Sequence, residues 1–273
     1  MLLKSINAWS VPAQVGFADM FADLKKAGFD CVELNLDAPG AGAHALSVET
    51  TDEELLQIKK LSEAAGLPIC SISSSQWGKS ALAGGTVPTR FLLEKQLHCA
   101  QMLGADGILI VPGGIGPDCS IRQAYINAKN ELLACRDLIE GQSVKVGVEN
   151  VWNNFFISPF DMVRFIDEVN IKNLGAYFDV GNVEIFSDPE YWIELLDSRI
   201  VKIHVKDFRR AGGNAGAFVN LLEGSIRWAK VVQALKEAGY NGPLTAELSA
   251  MPETPDYLYR ITADALETII AMA

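Results

Sequence analysis

Positive charge and histidine are both scarce in this chain. Its 23 lysines and arginines stand against 34 acids for a net charge of -11, and only three histidines occur in 273 residues. A balance this acidic excludes partners held through a general basic surface, nucleic acid above all, and leaves room only for a local basic pocket. Long apolar runs are missing too. No stretch approaches the ~20 residues that span a bilayer, and the opening Met-Leu-Leu-Lys-Ser-Ile-Asn-Ala-Trp-Ser lacks the blocks of a secretory leader, so the expected setting is the cytosol without a membrane partner. Cys31, Cys70, Cys99, Cys119 and Cys135 form no paired motif, which excludes a disulfide framework or a cysteine zinc site and leaves reduced, mostly buried thiols. Linkers, charge blocks and repeats are likewise absent, and residues 1–273 read as one domain.

What the chain does have is a regular alternation of short β-rich runs and amphipathic helical stretches, the pattern of a parallel sheet built from βα units. Strands are expected at 3–8, 31–35, 68–73, 107–111, 144–148, 175–178, 201–204 and 244–247. Helices are expected at 17–27, 51–65, 90–103, 121–141, 159–169, 191–196, 226–238 and 255–272. Eight such units close into a (β/α)8 TIM barrel, an α/β fold. An open doubly wound sheet would carry a glycine-rich phosphate loop after its first strand. Here that position holds Trp9-Ser10-Val11-Pro12.

Four consecutive strands deliver a charged or imidazole side chain at or just past their carboxyl ends: Glu149, Asp179, His204 and Glu247. In a barrel these ends open on one face, so the four are expected to converge. Mixed carboxylate and imidazole donors suit one divalent ion, Mn²⁺, Mg²⁺, Co²⁺ or Zn²⁺. Two glutamates beside such an ion can remove and return a carbon-bound proton while the ion stabilises the ene-diolate between the steps, which is the chemistry of an isomerase or epimerase. Around the site, Trp9, Trp77 and Trp152 follow strands where an aromatic face could meet a sugar. Glu33 is placed at the end of strand two to bond substrate or orient a ligand, and Lys206 returns to the face of His204. Asp207 either lines the pocket or makes a local pair, and a phosphate could be held by Lys206, Arg209 and Arg210 beside Gly212-Gly213. His44 and His98 lack ligand spacing.

Val-Glu-Asn-Val-Trp-Asn-Asn at 148–154, Tyr-Phe-Asp-Val-Gly-Asn at 177–182, Lys-Ile-His-Val-Lys-Asp-Phe at 202–208 and Gly-Pro-Leu-Thr-Ala-Glu-Leu at 242–248 together resemble the sugar phosphate isomerase/epimerase superfamily. That is the xylose-isomerase-like TIM barrel group of tagatose and psicose 3-epimerases, hexulose-6-phosphate isomerases and ribulose-5-phosphate 3-epimerases, and the likeness runs over essentially the whole chain. It implies that Glu149, Asp179, His204 and Glu247 bind one divalent ion, that Glu149 and Glu247 form the acid/base pair, and that Arg210 or Arg209 contacts substrate oxygens. The substrate implied is a sugar or sugar phosphate. The free-ketose 3-epimerases carry a histidine three residues after the metal aspartate, where this chain has Asn182, an amide that can bond a hydroxyl but cannot shuttle a proton near neutral pH. Two other activities use this scaffold or pocket: dehydration of a keto-inositol or related polyol, and sugar binding without catalysis. A multi-metal repair endonuclease of the same superfamily needs far more histidine. Length and composition leave room for a homo-oligomer.

Overall fold

The computed structural model describes residues 1–211 and 216–272. Its centre is a closed parallel barrel of β1 (Leu3–Asn7), β2 (Cys31–Asp37), β3 (Ile69–Ser74), β4 (Gly107–Ile110), β5 (Lys145–Glu149), β6 (Leu174–Asp179), β7 (Ile200–Val205) and β8 (Pro243–Ala246). Each strand pairs with its neighbours in chain order. The ring closes where β1 lies between β2 and β8, with Ser5 opposite Cys31 on one side and Leu3 opposite Pro243 on the other.

Strand residues alternate between two buried faces. In β2, Val32, Leu34 and Leu36 join the apolar layer beneath the helices, while Glu33 and Asn35 belong to the other, inward set. The same inward set holds Asn7, Ser71, Ser73, Tyr177 and His204, linked to one another by hydrogen bonds. The interior of this barrel is therefore polar at the level of the site, where a (β/α)8 barrel more often carries branched aliphatics.

Helices α1 (Phe17–Ala27), α2 (Asp52–Ala65), α3 (Thr89–Leu103), α4 (Ile121–Ala134), α5 (Pro159–Val169), α6 (Pro189–Leu196), α7 (Trp228–Glu237) and α8 (Pro255–Ile270) supply the outer layer. Their punctuation is local chemistry. Thr51 and Glu54 form a reciprocal capping box at the start of α2, and Gly28, at φ 97°, takes the left-handed turn that returns α1 to β2. The expected helix over 121–141 divides at Cys135 into α4 and a short helix, Arg136–Glu140.

Two elements beyond the expected pattern shape the open end. A four-residue helix, Val180–Val183, follows β6, and an antiparallel hairpin of Asp207–Arg210 with Gly216–Val219 follows β7. Gly212 and Gly213 lie outside the described residues. All five cysteines are free, and among the described residues no helix is long and apolar enough to cross a membrane.

Candidate metal centre

Glu149 and Asp179 are the last residues of β5 and β6, His204 is the fifth of six in β7, and Glu247 follows β8 directly. One donor atom from each lies within 4.8 Å of every other. His204 presents Nδ1 to this group, 3.1 Å from Glu149, 3.7 Å from Glu247 and 4.0 Å from Asp179. Three of the four are buried. Glu247, with 21% of its side chain exposed, forms the floor of an open cleft.

The backbone around Asp179 sets its carboxylate. Asn150 clamps it in the manner of an extra sheet pair, accepting from Asp179 N and donating to Asp179 O, each at 2.8 Å. Asp179 Oδ1 accepts from Asn182 N, which caps the short helix, while Oδ2 is buried without a hydrogen-bond partner. An orphaned carboxylate oxygen is costly unless a cation completes it. The nearest cation is Lys206 Nζ, 3.0 Å from that oxygen and 2.5 Å from Glu247 Oε2, with Phe218 beneath it at 5.2 Å. Three carboxylates and one imidazole exceed what a single ammonium neutralises. The donor set therefore fits a divalent ion held by Glu149, Asp179, His204 and Glu247.

Burial and crowding separate the titrations. Loss of solvent, reinforced by Glu247 and Asp179, pushes Glu149 up to about 7 despite its bond to His204. Burial also raises Asp179, against the pull of Lys206. Burial would raise Glu247 as well, but Lys206 and His204 bring it below the ordinary carboxylate range.

The cleft above Glu247 has a volume of about 430 Å³ and is walled by Trp9, Lys206, Phe218, Glu223, Leu248 and Met251. Beside it, an apolar pocket of about 290 Å³ is lined by Trp152, Phe156, Asn182 and Phe186. A wider groove of about 620 Å³ between α4 and α5 is lined by helix surface residues and offers no convergent acid/base set.

Several expected substrate contacts are placed elsewhere. Glu33 is the third residue of β2 rather than its last. It is fully buried beneath His204, where substrate cannot reach it. Trp77 is 1% exposed, and its indole donates to Gln96 Oε1, so it is core. Arg210 turns to the segment that follows β6, bonding Glu184 O, Ser187 O and Asp188 Oδ1 and pairing with Glu184 Oε1, because those buried or clustered acids outcompete an open cleft. Arg209 is likewise spent on Glu223 O. Asn182 lines the apolar pocket, but its amide donates to Asn150 O. Trp152 stands exposed at the rim with its indole N–H on Asn182 O, and Asp207 anchors Phe208 N and Trp228 Nε1. His44 packs its two ring nitrogens against Ala8 O and Val15 O, and His98 pairs with Asp52. Lys206 alone of the expected basic contacts reaches the cleft.

Residues that the sequence reading passed over are Asn7, Ser71, Tyr177 and Asn150. Their signal was present. Asn7, Ser71 and Tyr177 take inward positions on strands buried on both faces, where polar side chains need partners and find one in Glu33, while Asn150, just past β5, finds its own in the Asp179 backbone.

The fold and its site define a xylose isomerase-like TIM barrel. The profile of that family matches residues 21–269, and the chain belongs to it. Over 263 residues, 90% of this chain and 87% of the other, it is 23% identical to L-ribulose-5-phosphate 3-epimerase UlaE of Salmonella paratyphi A. An uncharacterized protein of Methanocaldococcus jannaschii is 28% identical over 153 residues, so the chain spans about half of that relative, 51% of its length. Among solved structures, L-ribulose 3-epimerase superposes with a TM-score of 0.77 at 16% identity, covering 99% of this chain and 95% of that one. The IolI protein with a bound zinc atom gives 0.77 at 14%, covering 98% of each. At these identities the structural matches show the shared fold.

Proposed function

We propose that the protein is a divalent-metal-dependent isomerase or epimerase of a ketose, and that Glu149 and Glu247 move the proton on the carbon beside the carbonyl. The observation that carries this reading is the convergence of Glu149, Asp179, His204 and Glu247 within 4.8 Å, next to an open cleft that Glu247 lines. A bound divalent ion would polarise the substrate carbonyl and its neighbouring hydroxyl. Glu247, held ionised by Lys206 and facing the cleft, is placed to accept a proton. Glu149, with its pKa near 7, can carry one at neutral pH. The names of the epimerase relatives and the zinc in the IolI protein support the same chemistry.

The cleft favours a free ketose over a ketose phosphate. Among the described residues Lys206 is the only basic side chain lining it, and two carboxylates already hold that ammonium. A phosphate dianion would stand beside Glu223 and Glu247 without an arginine to receive it.

Incubation with Mn²⁺ in D₂O against matched ketoses and ketose phosphates tests both statements by mass spectrometry. Deuterium is expected next to the carbonyl of the free ketoses, and Glu149→Gln or Glu247→Gln is expected to slow its entry at least about 100-fold. Label entering only the phosphates would refute the substrate class. Label in neither set would refute the isomerase reading, and water release with an absorbing enone would replace it with a dehydratase.

A further inference from the structure

Glu33 is a buried carboxylate that the proposed chemistry does not use, and three of its four partners, Asn7, Ser71 and Tyr177, donate to it. Its Oε1 accepts from Asn7 Nδ2 at 2.6 Å and faces His204 Nε2 at 2.5 Å. Its Oε2 accepts from Ser71 Oγ at 2.6 Å and from the Tyr177 hydroxyl. Glu33 and His204 both have fully buried side chains, and the partners of Glu33, itself on β2, come from β1, β3, β6 and β7.

We infer that Glu33 is a positioning residue, which holds the proton of His204 on Nε2 and so turns the Nδ1 lone pair toward the carboxylates of the metal centre. An amide and two hydroxyls aimed at one side chain require an acceptor, and an ionised carboxylate accepts only. The one remaining partner, His204 Nε2, must then donate. Once a cation displaces the proton from Nδ1, a ring that keeps its other proton on Nε2 has its acceptor at Nδ1, the atom lying 3.1–4.0 Å from Glu149, Glu247 and Asp179. Rotation of the ring about its bond to the chain is blocked from below by the same contact and on one side by Tyr177, whose ring meets it edge-on with centroids 4.7 Å apart. The negative charge on Glu33 also makes Nδ1 a stronger donor toward a cation. Glutamine would lose that charge. It would also bring an amide N–H₂ into a set of donors, and one way to relieve the conflict is to turn that group toward His204 and force the ring proton onto Nδ1.

The inference rests on the metal-site reading, and its test separates the two. Zinc is titrated calorimetrically into wild-type protein and Glu33→Gln, with the melting of each apoprotein followed by circular dichroism. Binding to wild type and a loss of about 10–100-fold in the folded variant are expected. A residue that served stability alone would lower the melting temperature and leave zinc affinity intact, and that result would overturn the inference. Should the variant fail to fold, nitrogen NMR of the wild type labelled in its three histidines decides. One imidazole is expected to keep its proton on Nε2 while Nδ1 shifts on zinc addition. A shift at Nε2 instead would overturn the inference, whereas no zinc binding by wild type would overturn the metal centre itself.

Discussion

A single residue shows how the site is poised. Glu149 is driven up to about 7 by burial among like charges, so in the folded protein it holds a proton that the unfolded chain, near 4.5, has released. Between about 4.5 and 7 the native state binds the extra proton, and this group's contribution to stability falls as pH rises. A cation that shares Glu149 must expel that proton. From that one proton, affinity for a divalent ion is therefore expected to climb with pH by up to about tenfold per unit below 7. Calorimetry in buffers of differing ionisation enthalpy would count the protons released, and an affinity flat from pH 5.5 to 7 would show that Glu149 stays outside the coordination sphere. Glu33 has the opposite sign. Burial opposes its charge, yet His204, Ser71 and Tyr177 hold it at about 2, so its share of stability is complete above about 4.5 and disappears as acid approaches 2.

Elements place these residues by what they leave out as much as by what they contain. Gly147 precedes Glu149 by two positions on β5 and shares its inward face. A Cβ there would lie 2.7 Å from Tyr177 Cβ and 3.0 Å from Tyr177 N across the β5–β6 pairing. Gly147→Ala must push the two strands apart at the Tyr177 backbone and so displace the residue whose hydroxyl bonds Glu33. A loss of about 1–3 kcal/mol in chemical denaturation is expected, with zinc affinity weakened in parallel. Unchanged stability would show that the strands can yield there. The strands and helices were legible in the sequence because burial on both faces demands apolar runs, and because Thr51, Gly28 and Gly66 mark helix ends whatever surrounds them. The four candidate ligands were legible because a charge ending such a run conflicts with its surroundings. Contacts decided by competition were not. Arg210 stands near His204 in sequence, yet Glu184 and Asp188, on a different segment, draw it away from the cleft. Trp77 follows a strand as Trp9 does, and only Gln96 on α3 makes it core. The hairpin after β7 gave no alternation long enough to read.

At the scale of the whole molecule, the barrel is a ring whose seam joins the first strand to the last. Leu3 through Ile6 run beside Pro243 through Ala246, and Lys4 Nζ reaches Glu267 on α8 at 2.9 Å. The first strand and the last helix are thus spatial neighbours. A circularly permuted protein, with its old ends linked by a short Gly-Ser tether and new ends opened at the exposed turn around Gly141, is expected to fold to the same ring. Its melting temperature would sit within several degrees of the parent, and ion binding would survive, since all four donors come from strands that follow the cut. A permutant that remains unfolded would mean that the seam must form last, from the chain order found here, and that the route to the native state is less symmetric than the ring itself.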